Sequence, residues 1–522
     1  MTFEIVFVLL SLLGMVAALV ADKMRPGMIL FSVVVLFLCA GILTPKEMLE
    51  GFSNKGMITV ALLFLVSEGI RQSGTLGQVI KKLLPQGKTT VFKAQLRILP
   101  SVAFISAFLN NTPVVVIFAP IIKHWAKSVN LPATKFLIPL SYVTILGGIC
   151  TLIGTSTNLV VHGMILEAGF EGFSMFELGK VGIFIAIAGI IYIFLFSKRL
   201  LPDARPDTAV PDEEVEEGEK LHRVEAVLGA RFPGINKKLK DFNFQRHYGA
   251  EVKEIKTRNG QRFVTNLDDV VLHEGDTLVV MADDTFIPTW GESSVFVLLT
   301  NGNEPDTSGK KKRWFALLLL VLMIVGATVG ELPVTKEMFP DIKLDMFFFV
   351  SITTIIMAWT NLFPARKYTK YISWDILITI ACAFAISKAM VNSGVADSVA
   401  KFIIGLSDDY GPHVLLAMVF IITNLFTELI TNNAAAALAF PLALSISAQL
   451  GVSPTPFFVV ICMAASASFS TPIGYQTNLI VQGIGNYKFT DFVRIGLPLN
   501  IITFLISIIP VSYTHLTLPT NR

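Results

Sequence analysis

Gly154-Thr155-Ser156-Thr157-Asn158-Leu159-Val160-Val161-His162-Gly163 returns in the second part of the chain as Gly474-Tyr475-Gln476-Thr477-Asn478-Leu479-Ile480-Val481-Gln482-Gly483. Another block keeps the same spacing, with Ser67, Ser73 and Gly74 matching Ser387, Ser393 and Gly394. A second motif, Asn110-Asn111-Thr112, returns as Thr431-Asn432-Asn433, displaced by one position from that spacing. Blocks in nearly constant register indicate two related halves. Polar residues interrupt apolar segments in both halves, which is typical of membrane transporters with a site near the bilayer midplane.

The composition is that of a membrane protein with many spans. The 522 residues are 53% hydrophobic and 16% charged, and the mean hydropathy of +0.65 is too high for a soluble enzyme. The net charge of +3 is too small to indicate nucleic-acid binding. Apolar runs of about the length a membrane helix needs fall at 3–21, 27–43, 57–71, 136–166, 178–200, 314–331, 345–363, 373–391, 455–484 and 489–511, and two more, at 94–122 and 412–448, carry the asparagine motifs. We expect a multi-pass protein of the cell membrane, in a prokaryote the plasma membrane.

The positions of Lys and Arg predict how the halves are oriented, since these residues concentrate on the cytoplasmic side of spans. Six basic clusters separate apolar runs, at Lys23/Arg25, 81–97, 123–135, Lys198/Arg199, 310–313 and 366–370. Placing all six inside makes segment 94–122 enter and leave the membrane from the cytoplasm and segment 412–448 from outside. The predicted fold is therefore an all-α polytopic membrane protein with an inverted-topology repeat. Each half has one re-entrant hairpin and one later broken helix.

The middle of the chain is polar and divides the membrane part in two. The first membrane repeat is expected at 1–202 and the second at 313–511. Between them we predict an acidic linker at 203–220, a small α+β domain at 221–292 and a second linker at 293–312, all in the cytoplasm because basic residues flank them.

The interruptions carry the chemistry that points to a binding site. Asn offers an amide donor and a carbonyl acceptor, and Ser and Thr add hydroxyls, so such a cluster can hold a cation and an anion together. Helices that begin at these residues also direct free N–H groups toward an anion. The alternative is that the motifs form ordinary interhelical hydrogen bonds. The candidates are Asn110, Asn111, Thr112, Thr155, Ser156, Thr157, Asn158, Thr431, Asn432, Asn433, Thr477 and Asn478. Ser156 and Gln476, which do not match each other in the repeat, remain open between the two interpretations.

Four ionisable residues fall inside apolar segments, where such groups often serve transport. Glu68 and Lys388 occupy matching positions in the repeat, which suggests a pair between the halves. Glu428 lies one helical turn before Asn432, and His162 follows Asn158. We treat all four as candidates for coupling, against structural pairing as the alternative.

At the Asn-Thr motifs the chain resembles the divalent anion/sodium symporter family, whose members carry dicarboxylates, citrate or sulfate. That family uses a Ser-Asn-Thr triad at each hairpin tip, and here the triads read Asn110-Asn111-Thr112 and Thr431-Asn432-Asn433. The resemblance implies that substrate contacts Asn110, Asn111, Thr112, Thr157, Thr431, Asn432, Asn433 and Thr477. It implies sodium ligands at Asn111, Gly154, Thr155, Asn158, Asn432, Gly474 and Asn478, and a homodimer in the lipid bilayer.

The middle segment resembles the C-terminal domain of regulators of potassium conductance (TrkA C-terminal-like), through Phe242-Asn243-Phe244, Tyr248-Gly249 and 272–278. This likeness implies that a small ligand or nucleotide binds there. Residues 512–522 resemble a translated adaptor sequence and are expected to be a non-native tail.

The leading hypothesis is a sodium-coupled secondary transporter of a small anion. A proton-coupled antiporter or an anion or metalloid exporter remains open, and so does a transporter-derived sensor or channel. An enzyme is not expected, because the sequence has no nucleotide-binding GxxxxGK[ST] motif and no metal-ligand cluster. Apart from sodium as the coupling ion, no cofactor is implied.

Overall fold

The fold was derived from a computed structural model. The structure describes residues 3–21, 24–203, 222–229, 232–257, 261–283, 286–290, 295–300, 310–405 and 412–515. Apart from residue 203, the predicted acidic linker lies outside the described residues, and so do residues 516–522 of the predicted tail.

The first half is helical throughout. Helix starts are defined by local capping: Thr44 and Glu47 form a capping box, and the Asn54 side chain accepts from the Gly56 N–H. The helices are α1 (Phe3–Ala21), α2 (Pro26–Cys39), α3 (Pro45–Glu50), α4 (Lys55–Gln72), α5 (Thr75–Leu83), α6 (Val91–Ser106), α7 (Asn111–Ser128), α8 (Leu137–Gly148), α9 (Ser156–Glu167) and α10 (Gly179–Leu200).

The second half, together with two short helices of the middle segment, completes the helical part. The helices are α11 (Phe244–Tyr248), α12 (Phe286–Trp290), α13 (Lys310–Gly330), α14 (Pro333–Met338), α15 (Met346–Trp359), α16 (Tyr368–Tyr371), α17 (Trp374–Asn392), α18 (Val395–Gly405), α19 (Pro412–Leu429), α20 (Asn432–Leu450), α21 (Thr455–Ser466), α22 (Gln476–Gly485) and α23 (Phe489–His515). Helix α23 thus continues into the predicted non-native tail.

Helix starts recur with the repeat. In three pairs of helices, the first residues are separated by the spacing of the Gly154 and Gly474 motifs: α2 and α15, α5 and α18, and α9 and α22. In two further pairs, α6 with α19 and α7 with α20, the first residues are separated by the spacing of Asn111 and Asn432, which is one position longer. Gly74 and Gly394 have matching positive φ values of 71° and 75° at the turns before α5 and α18, a conformation that glycine adopts without strain. The sequence repeat is therefore a repeat of helices and turns.

Six helical segments among the described residues are long and apolar enough to cross a membrane, and one of them joins α3 to α4. They are Pro45–Gln72, Gly179–Leu200, Lys311–Gly330, Trp374–Asn392, Asn432–Leu450 and Phe489–Ile509. Other apolar helices have 10–17 residues. The predicted runs 136–166 and 455–484 each divide into two short helices, α8 and α9 in one case and α21 and α22 in the other.

Packing between the halves is reciprocal. Helix α2 packs on α17 while α15 packs on α4, and α7 packs on α22 while α20 packs on α9. Helices α10 and α23 pack on each other. Reciprocal contacts of this kind are expected when two similar units are related by an approximate two-fold axis.

The middle segment forms one five-stranded antiparallel sheet in the order β3-β2-β4-β1-β5. The strands are β1 (His222–Leu228), β2 (Glu251–Lys256), β3 (Arg262–Phe263), β4 (Thr277–Ala282) and β5 (Phe296–Thr300). Strand β5 falls inside the segment predicted as a linker at 293–312, so the boundary predicted at 292 is too early. The reason is that β5 pairs with β1 at the start of the unit, a long-range pairing that local sequence does not reveal.

This sheet contacts the membrane part at α7 and α22. Lys123 of α7 donates to both carboxylate oxygens of Glu225 in β1, at 2.9 and 3.0 Å. The turn before β4 packs against α22 so closely that a Cβ on Gly483 would overlap the Thr277 hydroxyl oxygen. The sheet therefore contacts two of the helices that begin at the repeated motifs.

Candidate functional site

Four helices begin at the four repeated motifs. Asn110 and Thr431 are the N-cap residues of α7 and α20, and Thr155 and Tyr475 are those of α9 and α22. None of these four side chains caps its own helix. The first N–H groups of each helix lack intrahelical partners, so these termini carry a partial positive charge.

Side chains at the four helix starts meet across the two halves. Thr112 of α7 donates to Gln476 of α22 at 3.3 Å. In the equivalent contact Asn433 of α20 accepts from Ser156 at 3.4 Å and from Thr157 at 3.2 Å, both on α9. Thr112 and Asn433 are repeat equivalents, as are Ser156 and Gln476. The repeat therefore places one polar contact of the same kind on each side of the junction between the halves.

Asn111 lies at the centre of the first of these junctions and is 1% exposed. With its side-chain oxygen accepting from the Tyr475 hydroxyl, its nitrogen lies 3.0 Å from the Thr144 carbonyl, 2.8 Å from the Ser106 hydroxyl and 3.2 Å from the Gly154 carbonyl. Every one of these partners is uncharged. The amide is thus fixed in orientation between elements of its own half and one helix of the other.

Asn432 occupies the equivalent place in the second half. Its amide lies 2.7 Å from the Thr427 hydroxyl, which donates to the Ala465 carbonyl. Ser106 and Thr427 each stand five positions before the central asparagine of their half. Sequence reasoning missed both, although this shared placement was a usable signal.

Asn158 and Asn478 hold the broken segments together. Asn158 donates to the carbonyls of Gly148 and Thr151, and Asn478 donates to those of Ser468 and Thr471. These acceptors lie ten and seven positions before the asparagine in both halves. Backbone groups freed where a membrane helix breaks must find such partners, because lipid supplies none. Their nitrogen atoms are therefore structural, while the Asn158 oxygen is buried without a hydrogen-bond partner.

We expect Asn478→Ala to lower the thermal unfolding temperature of the purified protein. The substitution leaves the buried Ser468 carbonyl and the half-buried Thr471 carbonyl without this donor, which costs about 1–3 kcal/mol. Asn392→Ala is the matched control, since Asn392 is exposed and water can replace its bonds. Equal unfolding temperatures for the two variants would contradict the structural role.

Tyr475 links the two halves at this junction. Its hydroxyl contacts the Asn111 side chain, lies 3.1 Å from the Thr155 hydroxyl and comes close to the Asn432 side chain. The ring is 8% exposed. We call the group Asn111, Thr112, Thr155, Ser156, Thr157, Asn432, Asn433, Tyr475 and Gln476 the junction cluster. Sequence reasoning overlooked Tyr475, because an aromatic residue in an apolar segment usually indicates packing.

Comparison with known protein families gives a match over most of the chain. The sequence model of the family described as citrate transporter, CitMHS, matches residues 16–450 and 341–519. The chain belongs to the citrate transporter (CitMHS) family. The protein is thus a multi-pass membrane protein of a transporter family, as predicted, and this family is one of carriers rather than enzymes.

Individual relatives agree with this family membership. An uncharacterized transporter of Synechocystis is 30% identical, over 94% of both chains. Sodium/sulfate cotransporter 2 of Chlamydomonas reinhardtii is 31% identical over 54% of this chain and 31% of its own. The crystal structure of the YdaH transporter of Alcanivorax borkumensis has the same fold, with a TM-score of 0.52 at 12% identity and 98% coverage of both chains.

The predicted pair between Glu68 and Lys388 does not form in the structure. The Glu68 carboxylate instead accepts from Arg71 at 2.6 and 2.8 Å and from Gln72 at 2.6 Å. Arg71 stands one turn away on the same helix, which makes the local pair easier to form. Lys388 is exposed on α17. The coupling roles predicted for these two residues stay predictions.

Glu428 lies beside the junction cluster, whereas His162 lies farther along α9. The Glu428 carboxylate accepts from the Ser470 N–H at 2.9 Å and from Asn500 at 2.7 Å. His162 lies beyond the first turn of α9, about 9 Å along the helix axis from its start, where its ring packs against Gly172.

The remaining candidates lie at the edge of the cluster. Asn110 and Ser156 line a small, largely apolar pocket together with Val60, Ser67 and Met323. The Ser141 hydroxyl donates to the Asn478 side-chain oxygen at 2.7 Å and lies 2.9 Å from the Thr477 hydroxyl. The Thr431 hydroxyl is buried without a hydrogen-bond partner. Gly154 and Gly474 each place their N–H near a threonine hydroxyl that accepts from it, that of Thr151 and that of Thr471.

Proposed function

We propose that the protein is a secondary active transporter that couples sodium entry to uptake of a small anion of the sulfate, dicarboxylate or citrate class. The observation that carries this proposal is the pair of equivalent contacts, Thr112 with Gln476 and Asn433 with Ser156, which join the halves where four helices begin. A site shared between two repeats can open to one side at a time when the repeats move against each other.

The proposed arrangement of the repeats is inverted, with re-entrant hairpins formed by α6 with α7 and by α19 with α20. The reciprocal packing of α2 on α17 and of α15 on α4 supports a two-fold relation. The distribution of Lys and Arg supports an axis in the membrane plane, because it places the two hairpins on opposite sides.

The chemistry of the junction cluster supports binding of an anion together with a cation. All its members are uncharged, so an anion there would be held by helix N-termini and neutral donors alone. A sodium ion beside it would offset the anionic charge. Oxygen atoms for that ion are present in both halves, since the Asn158 side-chain oxygen and the Thr431 hydroxyl are buried without hydrogen-bond partners among the described residues. The name of the Chlamydomonas relative supports the pairing of sodium with sulfate.

Thermal unfolding of the purified protein tests this mutual dependence. Binding free energies are reciprocal, so sodium must strengthen anion binding by the factor with which the anion strengthens sodium binding. We expect sulfate, succinate or citrate to raise the unfolding temperature in sodium chloride and not in choline chloride. Equal stabilisation in both salts would contradict sodium coupling.

Proton coupling is the second candidate, and Glu428 is the observation that favours it. Its carboxylate is half-buried beside the cluster and accepts hydrogen bonds from neutral donors, Ser470 and Asn500. If uptake followed a proton gradient in the absence of sodium and was lost in Glu428→Gln, this alternative would replace sodium coupling.

We propose further that the cytoplasmic sheet domain regulates transport, through a small ligand of the kind that its resemblance implies. It contacts α7 through Lys123 and α22 through Gly483, and both helices begin at the junction cluster. A ligand that moved the domain would therefore act on both helices at once.

The ion pair between Glu225 and Lys123 gives a direct test of this coupling. Burial alone would raise the pKa of the Glu225 carboxyl, but Lys123 and Lys256 outweigh it and hold the pKa at about 2. Since this lies below the ordinary value of about 4.3, the pair stabilises docking at neutral pH and weakens only as the pH falls from about 4 toward 2.

We expect Glu225→Gln to raise the initial uptake rate by roughly two- to tenfold, because α7 is then less firmly held, an effect of about 1 kcal/mol. The increase should be the same at pH 6 and pH 8. Glu251→Gln, which removes an exposed carboxylate from β2, is the control. An unchanged rate in Glu225→Gln would show that docking does not limit transport.

A further inference from the structure

Tyr475 is the point at which the two repeats differ most in the junction cluster. The repeat pairs it with Thr155, and both residues are N-caps of equivalent helices, α22 and α9. One half therefore has a small hydroxyl residue where the other has a phenol ring. That ring is 8% exposed and belongs to the cluster rather than to the lipid-facing surface.

The hydroxyl of this ring reaches both central asparagines. It contacts the Asn111 side chain, lies 3.1 Å from the Thr155 hydroxyl and comes close to the Asn432 side chain. Three elements from two halves thus converge on one oxygen atom. The ring that carries this oxygen therefore lies in the junction cluster, where the proposed function places the anion.

We infer that Tyr475 is a specificity-determining residue that limits the transported anion to a compact oxyanion and donates a hydrogen bond to it. This inference rests on the proposed function. A tetrahedral anion the size of sulfate presents oxygen atoms on every side and fits between neutral donors beside a fixed ring. In succinate and citrate a carbon chain separates the carboxylates. These anions are therefore longer than sulfate and need the room that the Tyr475 ring occupies.

Two substitutions separate the volume of the ring from the hydrogen bond. Tyr475→Thr copies the residue of the other half and opens the space, so uptake of citrate relative to sulfate should rise about tenfold or more. Tyr475→Phe keeps the volume and removes the donor, so sulfate uptake should fall about tenfold while citrate stays excluded. Tyr192→Phe is the control. Tyr192 lies in α10, outside the junction cluster, and is also buried, and its hydroxyl donates to the Ile495 carbonyl.

The experiment measures uptake of labelled sulfate, succinate and citrate into proteoliposomes with the full chain, under an inward sodium gradient. A competition measurement on the wild type needs no variant to fold: excess unlabelled citrate should leave sulfate uptake unchanged. Sodium-driven sulfate uptake with effective citrate competition, or with an unchanged ratio in Tyr475→Thr, would overturn the inference and leave the proposed function standing. No sodium-driven uptake of any of the three anions by the wild type would overturn both.

Discussion

Asn111→Ala and Asn432→Ala should each lower sodium-driven anion uptake about a hundredfold or more. Each asparagine joins a hairpin-like pair of helices to a broken segment, and both contact Tyr475. A hydrogen bond to a charged group contributes about 1.5–3 kcal/mol, so loss of two such contacts is worth at least two orders of magnitude in affinity. The measurement is the initial rate of labelled sulfate uptake into proteoliposomes.

Folding must be separated from function in this test, because the Asn111 nitrogen also contacts backbone carbonyls. Each variant is therefore compared with the wild type by gel filtration and thermal unfolding before uptake is measured. Asn392→Ala, on the exposed side of α17, should transport at the wild-type rate. If both motif variants kept half or more of wild-type uptake, the site would lie elsewhere.

Gly148→Ala should abolish most uptake without removing any member of the junction cluster. A Cβ at this position would lie 2.5 Å from the Asn111 side-chain amide, closer than real Cβ contacts. The amide must move, and a displacement of about 1 Å in a binding site can lower activity about a hundredfold. We expect a folded protein whose uptake rate falls by that order.

Two other glycines serve as controls for Gly148. Gly14→Ala should have no effect, because the space around that position is open. Gly147→Ala should prevent folding, since its Cβ would overlap the Ala103 carbonyl oxygen on α6, where neither backbone can yield. Normal uptake by a folded Gly148→Ala protein would show that the position of the Asn111 amide is unimportant for transport.

Helix starts were the most predictable part of the site. Polar residues that interrupt an apolar run lower the tendency to continue a helix, and four helices do begin at or next to Asn111, Ser156, Asn432 and Gln476. The repeat added a second, independent signal, because the same break appears at a constant spacing. The sequence therefore located the breaks, and the family comparison then confirmed a transporter of the citrate and sulfate type at the level of the family.

Contacts between residues far apart in the chain were not predictable in the same way. The matching positions of Glu68 and Lys388 suggested a pair, but repeat position says nothing about distance, and Arg71 was the nearer partner. The bond between Thr112 and Gln476 joins the first half to the last helices of the second. Strand β5 was missed for the same reason, since β2, β3 and β4 all stand between it and its partner β1 in the chain.

Tyr475 shows what a search for polar residues leaves out. Its ring belongs with apolar packing by composition, and only its hydroxyl takes part in the cluster. Comparing the two halves position by position would have found it, because the pair Thr155 and Tyr475 combines a shared hydroxyl with a large difference in volume.

Sodium dependence of anion uptake is the most direct test of the account. The wild-type protein in proteoliposomes is given labelled sulfate, succinate and citrate in turn, under an inward sodium gradient, under an equal potassium gradient and under a proton gradient. The account predicts uptake of at least one anion with sodium and none with potassium or protons alone. Equal uptake under all three gradients, or uptake that follows protons only, would contradict it.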